Sequence, residues 1–263
     1  MRSSRHEIDQ RRSHIIELVA GGVDQARDLA GVLGVSVATV RRDLAALDEA
    51  GSLVRTYGGA AQGGRFVELH VRERMTRERE AKVGIARAAL QFVPEHGTIF
   101  IDAGSTCLAL VSLLSPNQDL KIVTRGLDVA LSLVDSGIDV TVTGGKVTRL
   151  SHGARGPHAL SVLNQFRFDV AFLGVDAVDP RFGIGEPTVE EIATKEVAST
   201  RARTTVVLAD YTKLTDSHVP CWTKPESWTL VTDARAGRRV EEFTREGCRV
   251  VIADAVTGMS APS

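Results

Sequence analysis

Five short clusters in the second half of the chain carry residue types suited to holding a small polar molecule. They are Asp102-Ala103-Gly104-Ser105-Thr106, Thr124-Arg125-Gly126, Gly144-Gly145-Lys146, Gly174-Val175-Asp176 and Asp210-Tyr211-Thr212-Lys213. In the first, two small residues let a ligand approach the backbone, and two hydroxyls open a helical pattern whose free N–H groups suit phosphate. Alone, this D-x-G-S-T run says little, because many α/β turns use Gly and Ser for chain geometry. Five such clusters, each directly after an apolar β-branched run, argue for one small-molecule pocket. Further along, Glu191 and Lys195 are four residues apart and share a helix face, as a surface ion pair or as ligand contacts.

A different chemistry sits near the N-terminus, in VSVATVRRDLAALDEAGSLVRTYGGA from Val35 to Ala60. Ser36 is placed to cap a helix in which Val40, Leu44 and Leu47 face inward. That turns Val37, Ala38, Thr39, Arg41 and Arg42 outward at the helix start, where recognition helices meet base edges. An arginine can bond guanine through O6 and N7, while Ser36 and Thr39 can reach phosphates or bases. The competing reading is surface charge, with Arg41 and Arg42 paired to Asp43 or Asp48. The capped helix and the arginine-bearing hairpin after it favour a DNA probe.

The elements that must position these residues follow from periodicity. Ile8 to Ala20 carries an apolar helical stripe stopped by Gly21-Gly22. Asp24 is expected to cap a second helix ended by Gly34, and Gly34-Val35-Ser36 forms the short turn of a helix-turn-helix. Ser52–Thr56 and the residues after Gly58-Gly59 read as a hairpin. Residues 1–60 are thus one small domain, and 61–81 a linker and the start of a connecting helix. The alternating charges of Arg72 to Glu80 read as a solvated face. From 82 to 256 strands alternate with helices. TIFID (98–102), LKIVT (120–124), DVTVT (139–143), DVAFLGVD (169–176), TTVVLAD (204–210), WTLVTD (228–233) and RVVIAD (249–254) are the strands. This predicts an α/β domain with a mostly parallel sheet covered on both faces. Its ligands belong at the carboxyl ends of the strands. Residues 257–263 read as a disordered tail.

Bulk composition excludes more than it suggests. The 263 residues hold 32 Lys plus Arg against 33 Asp plus Glu, a net charge of -1. The first 60 residues balance eight arginines against eight acids, so DNA binding must come from local placement. Cys107, Cys221 and Cys248 are too scattered for a disulfide framework or a zinc site, and neither metal nor cofactor is expected. No apolar stretch is long enough for a membrane span, and MRSSRHEIDQRR lacks the apolar run of a signal peptide. A cytoplasmic protein is expected.

The Val35–Ala60 segment closely resembles the signature of DeoR-family bacterial transcriptional regulators, and Glu73 to Asp233 resembles their sensor domain. The resemblance implies that the hairpin is the wing of a winged helix-turn-helix, with Arg55 and Tyr57 at the DNA backbone; Tyr57 stands where histidine is common. It implies a sensor with the fold of ribose-5-phosphate isomerase, holding a phosphorylated sugar or related metabolite. Asp102, Gly104, Ser105, Thr106, Gly144, Gly145, Asp176 and Lys213 would line its site, and Glu190–Lys195 matches the family's acidic-to-lysine helix. Thr124, Arg125 and Lys146 join them from the strand-end clusters. The chain departs from the family where Arg125 replaces an asparagine, and where Thr148 and Gly153 replace an arginine and a serine; Lys146, Arg149, His152 and Arg155 lie nearby instead. The implied protein is a repressor that binds operator DNA as a dimer or tetramer and leaves it when the metabolite binds. The alternative is a sugar-phosphate isomerase or deaminase with an accessory DNA-binding domain, although no base–acid pair is identifiable from spacing.

Overall fold

The protein is described from a computed structural model, which covers residues 5–49, 53–56, 58–62, 70–115, 119–214 and 219–254. The chain divides into two compact units, Met1–His70 and Val71–Ser263. Tyr57, most of the segment between the units and the tail beyond Asp254 lie outside the described residues, as does the side chain of Arg55.

The first unit contains α1 (Arg5–Ala20), α2 (Ala26–Leu33), α3 (Val37–Glu49) and an antiparallel hairpin of β1 (Leu53–Thr56) and β2 (Gly59–Gln62). Ile15, Leu29, Val40, Leu44 and Leu53 meet in its core, each almost wholly buried. The α2–α3 turn forms because Gly34 takes the left-handed conformation, φ 64°, and its N–H closes on Ala30 O. Ser36 then accepts the Thr39 N–H at 3.1 Å and starts α3.

Asp24 does not cap α2; Gln25 occupies that position, and its side chain makes no capping bond. The reason is that residues 24–26 are engaged with the hairpin. Ala60 N donates to Asp24 O, Ala26 N donates to Gly58 O, and Gln25 bridges Gly59. This approach needs glycine: a Cβ at Gly59 would stand 1.7 Å from Asp24 O. Gly59→Ala should therefore exceed the ~1–3 kcal/mol usual for overpacking, because backbone rather than a side chain must move. Calorimetry of the full chain should show the first unit melting earlier and the second unit unchanged.

The second unit opens with α4 (Val71–Thr76) and α5 (Arg79–Ala89). There follow β3 (His96–Ile101), α6 (Ser105–Val111), β4 (Asp119–Thr124), α7 (Leu127–Asp135) and β5 (Val140–Val142). A two-stranded antiparallel ribbon, β6 (Lys146–Val147) and β7 (Ala154–Arg155), precedes α8 (Pro157–Leu163) and β8 (Phe168–Gly174). Next come β9 (Ala177–Asp179), β10 (Gly183–Glu186), α9 (Val189–Thr200) and β11 (Ala202–Leu208). The last elements are β12 (Cys221–Thr223), β13 (Thr229–Asp233), α10 (Arg239–Arg245) and β14 (Arg249–Ala253).

All seven expected strands enter one sheet, ordered β14-β13-β11-β8-β3-β4-β5 with every neighbouring pair parallel. Two apolar clusters cover it. One includes Ile85, Ile101, Leu110 and Leu133, the other Phe100, Leu173, Val207 and Phe243. The chain begins mid-sheet at β3, runs out through β4 and β5, then returns to β8 and continues the other way. The strand order thus reverses between β3 and β8, the place where open sheets of this kind bind ligands at their carboxyl ends. A small antiparallel sheet, β12-β10-β9, was not expected.

Candidate ligand network and nucleic-acid face

Asp102 lies at the carboxyl end of β3, beside the strand-order reversal, and is fully buried. Its carboxylate accepts the Arg125 Nε–H at 2.5 Å and the Ala103 N–H at 2.7 Å, and bonds the Lys195 ammonium. Lys195 reaches inward from α9, donates to Gly174 O at 2.5 Å, and lies 3.1 Å from Glu186 at the end of β10. Arg125 also approaches Glu191 at 4.0 Å, and Glu191 is fixed by Thr188 at 2.8 Å. Glu191 and Lys195 are both buried, so the surface-pair reading is corrected. The i, i+4 spacing does put both on one face, but that face turns toward the sheet, where each finds a partner on another element.

The charges in this network set each other. Burial pushes the Asp102 carboxyl up, but the Arg125 guanidinium and Lys195 ammonium outweigh it and hold the group below its ordinary range. Burial likewise opposes the charged forms of Lys195 and Arg125; Asp102 and Glu186 raise both above their ordinary values. Glu186 goes the other way, pushed by burial up to about 8 despite Lys195. Burial thus favours its protonated form near neutral pH. Because its folded value is raised above the ordinary 4.5, the unfolded chain loses this proton first. The wild type should therefore lose stability relative to Glu186→Gln as pH rises from about 5 toward about 8. Parallel melting curves across that window check it.

Arg125 and Gly153 fit each other. A Cβ at Gly153 would lie 2.5 Å from Arg125 Nη1 and 3.1 Å from the Ala103 side chain. The guanidinium occupies the space a serine would need. Ala154 N donates to Arg125 O at 2.7 Å, tying the two loops together.

A second network surrounds Asp176, after β8. Its Oδ1 lies 3.1 Å from Lys213 Nζ and 3.1 Å from Arg74 Nη1. Burial raises the Asp176 carboxyl, while Lys213 and Arg74 more than offset this and lower it. Arg74 comes from the charge run expected to be solvated. That expectation fails for Arg74, whose side chain is 13% exposed, because α4 turns it toward Asp176. Sequence reasoning also missed Glu186, whose glycine-rich strand has no β-branched run.

The remaining residues sit at the same end of the sheet without joining these networks among the described contacts. Gly104 precedes α6 with φ 117°, Ser105 is half-buried, and Thr106 is buried at the second position. Thr124 is buried and accepts the Gly126 N–H at 3.0 Å, which shapes the loop carrying Arg125. Gly144 and Gly145 have φ 65° and 112°, and Lys146 is exposed. Burial pushes the Cys107 thiol behind Asp102 up to about 12, leaving it unreactive.

On α3, Arg41 and Arg42 are exposed. Asp43 is buried and engaged by Arg11 at 2.7 Å and Arg12 at 3.2 Å from α1, so it does not neutralise them. Arg42 instead donates to Ala38 O at 3.3 Å, within its own helix. Ser36 and Ala38 are exposed, with Val37 and Thr39 half-buried beside them.

Both units match families. The DeoR-like helix-turn-helix domain matches residues 11–63, and the DeoR C terminal sensor domain matches residues 77–234. The glycerol-3-phosphate regulon repressor of Escherichia coli (strain K12) is 32% identical over 206 residues, covering 78% of this chain and 82% of that protein. The HTH-type transcriptional repressor CsqR of the same organism is 32% identical over 205 residues, covering 77% and 78%. Ribose 5 phosphate isomerase A from Neisseria gonorrhoeae overlaps with 21% identity and a TM-score of 0.40, over 54% of this chain and 56% of that one. That overlap is too slight to bear on ligand or reaction.

Proposed function

The chain belongs to the DeoR family of DNA-binding transcriptional regulators, and on that premise we propose that it is a repressor released from its operator by a phosphorylated sugar or related metabolite. The observation that carries the DNA half is the α3 face. Two exposed arginines follow a capped helix start, and the nearest acid is turned inward to α1. Ser36, Val37, Ala38, Thr39, Arg41 and Arg42 form the groove-facing surface, with Arg55 and Tyr57 as wing contacts to phosphate. A single winged domain spans a short half-site, so the working form is a homodimer or tetramer in the cytoplasm. No described helix is long and apolar enough to cross a membrane.

Arg41→Ala and Arg42→Ala should each weaken operator binding while the melting temperature stays put. For a guanine-reading arginine the loss is about 1–3 kcal/mol, with relaxed preference at that base. Wild-type affinity in both variants, by gel shift at fixed salt, rejects the α3 face as the probe.

The ligand half rests on the strand-end residues at the sheet reversal. Asp102, Arg125, Glu191 and Lys195 form the floor, Gly104, Ser105, Thr106, Thr124, Gly144 and Gly145 the backbone rim. Lys146, Asp176 and Lys213 supply charge. Ion pairing favours binding over catalysis here: Asp102 and Asp176 each face two cations, which leaves neither as a proton-abstracting base. An isomerase assay on a panel of sugar phosphates tests that choice, and turnover would move the protein to the enzyme class.

A further inference from the structure

Two cations from separate elements converge on the Asp176 carboxylate, and a third, Lys82, lies near both of them. Lys213 and Arg74 share its Oδ1, each at 3.1 Å. Lys82, at the start of α5, donates to the carbonyls of Arg74 and Arg77 at 2.6 Å each, which fixes the end of α4 against it. Burial and the neighbouring Lys213 and Arg74 charges lower the Lys82 ammonium to about 8, although Asp210 opposes them. Asp176 is only 5% exposed, whereas Lys213 and Arg74 keep 24% and 13% of their side chains open to solvent. Both cations are thus more open to solvent than the carboxylate they share.

The α4–α5 junction is braced from the other side as well. Glu78, between the helices, has φ 52°, a conformation costly for a residue with a side chain. Its carboxylate binds Arg235 at 2.5 Å. Arg235 in turn bonds Asp233 at 2.8 Å and stacks over the Tyr211 ring at 4.1 Å. Tyr211 N donates to Asp233 at 2.8 Å and begins the short turn that carries Lys213. The junction and the Lys213 turn thus form one cross-braced unit. Lys82 also lines a cleft of about 780 Å³ that Ser105 lines as well.

We propose that Arg74 is an effector-reading residue: an incoming phosphate takes the place of Asp176 beside Lys213, binds Arg74 as well, and so reports occupancy at the α4–α5 junction. A phosphate carries about −1.5 to −2 charges and three acceptor oxygens, more of both than a singly charged carboxylate offers two cations. Arginine suits the role because its fork binds phosphate through two N–H groups. The junction is the first part of the second unit in chain order. This rests on the phosphate reading of Lys213 and extends it to a residue outside the strand ends.

The test uses the full chain and inorganic phosphate as the probe, with chloride at equal ionic strength as the blank. Phosphate should raise the wild-type melting temperature, and Lys213→Met should abolish the rise. Arg74→Gln should raise the half-saturating phosphate concentration at least tenfold, with Arg74→Lys intermediate and Arg203→Gln unchanged. Because the readout is the response to phosphate, a lower starting stability in Arg74→Gln does not mimic it. A wild-type response in Arg74→Gln alongside a lost response in Lys213→Met overturns the role of Arg74 and leaves the phosphate site standing. A wild type that ignores phosphate overturns both.

Discussion

Lys195→Met should destabilise the second unit by about 3–5 kcal/mol, because it strands buried charge that no solvent can reach. Lys195 is 1% exposed and lies between Asp102, Glu186 and Gly174 O. Without it, Asp102 keeps only Arg125 and the Ala103 N–H as partners. The partly exposed pair of Arg203 with Asp169, at 3.6 Å, provides the contrast. Arg203→Gln should leave stability unchanged, since solvent screens such pairs. Denaturant titration of both variants measures the difference, and a loss below about 1 kcal/mol for Lys195→Met means the network contributes little.

Ser105→Glu should abolish the effector response and leave operator affinity intact. Ser105 begins α6 and lines the cleft shared with Lys82. A carboxylate there repels an anionic ligand and takes up its space. An acid in the first turn of a helix is favourable for the helix itself, so the fold is not penalised. In a cell the variant should behave as a permanent repressor. Anisotropy of labelled operator reads both properties, and a variant still released at the wild-type effector concentration removes Ser105 from the site.

The parallel sheet was legible because its strands are apolar, β-branched-rich runs separated by helical periods, the central ones buried at most positions. The β9–β10–β12 sheet was not, since Gly183-Ile184-Gly185 reads as a turn. What makes it a strand is close packing: a Cβ at Gly185 would stand 2.5 Å from Val219 and 2.8 Å from Trp222. The strand-end rule pointed to Asp102, Asp176 and Lys213, which do stand at the sheet reversal. It could not supply their partners. Glu186 sits on the unread strand. Arg74 sits in a run whose alternating signs look solvated until the helix direction is known. In the same way, Glu191 and Lys195 gave the correct helix face but the wrong pairing. Asp24 shows a local signal overruled by a tertiary one, its backbone being claimed by the hairpin.

A phosphorylated ligand is expected to separate this repressor from its operator. The direct measurement is anisotropy of a labelled operator selected from random DNA, bound to the full chain and titrated with sugar and polyol phosphates and their dephosphorylated counterparts. At least one phosphorylated compound should release the DNA, while its neutral counterpart should do so only at concentrations at least tenfold higher. Release at equal concentrations by both forms, or a complex that survives every phosphate in the panel, would contradict it.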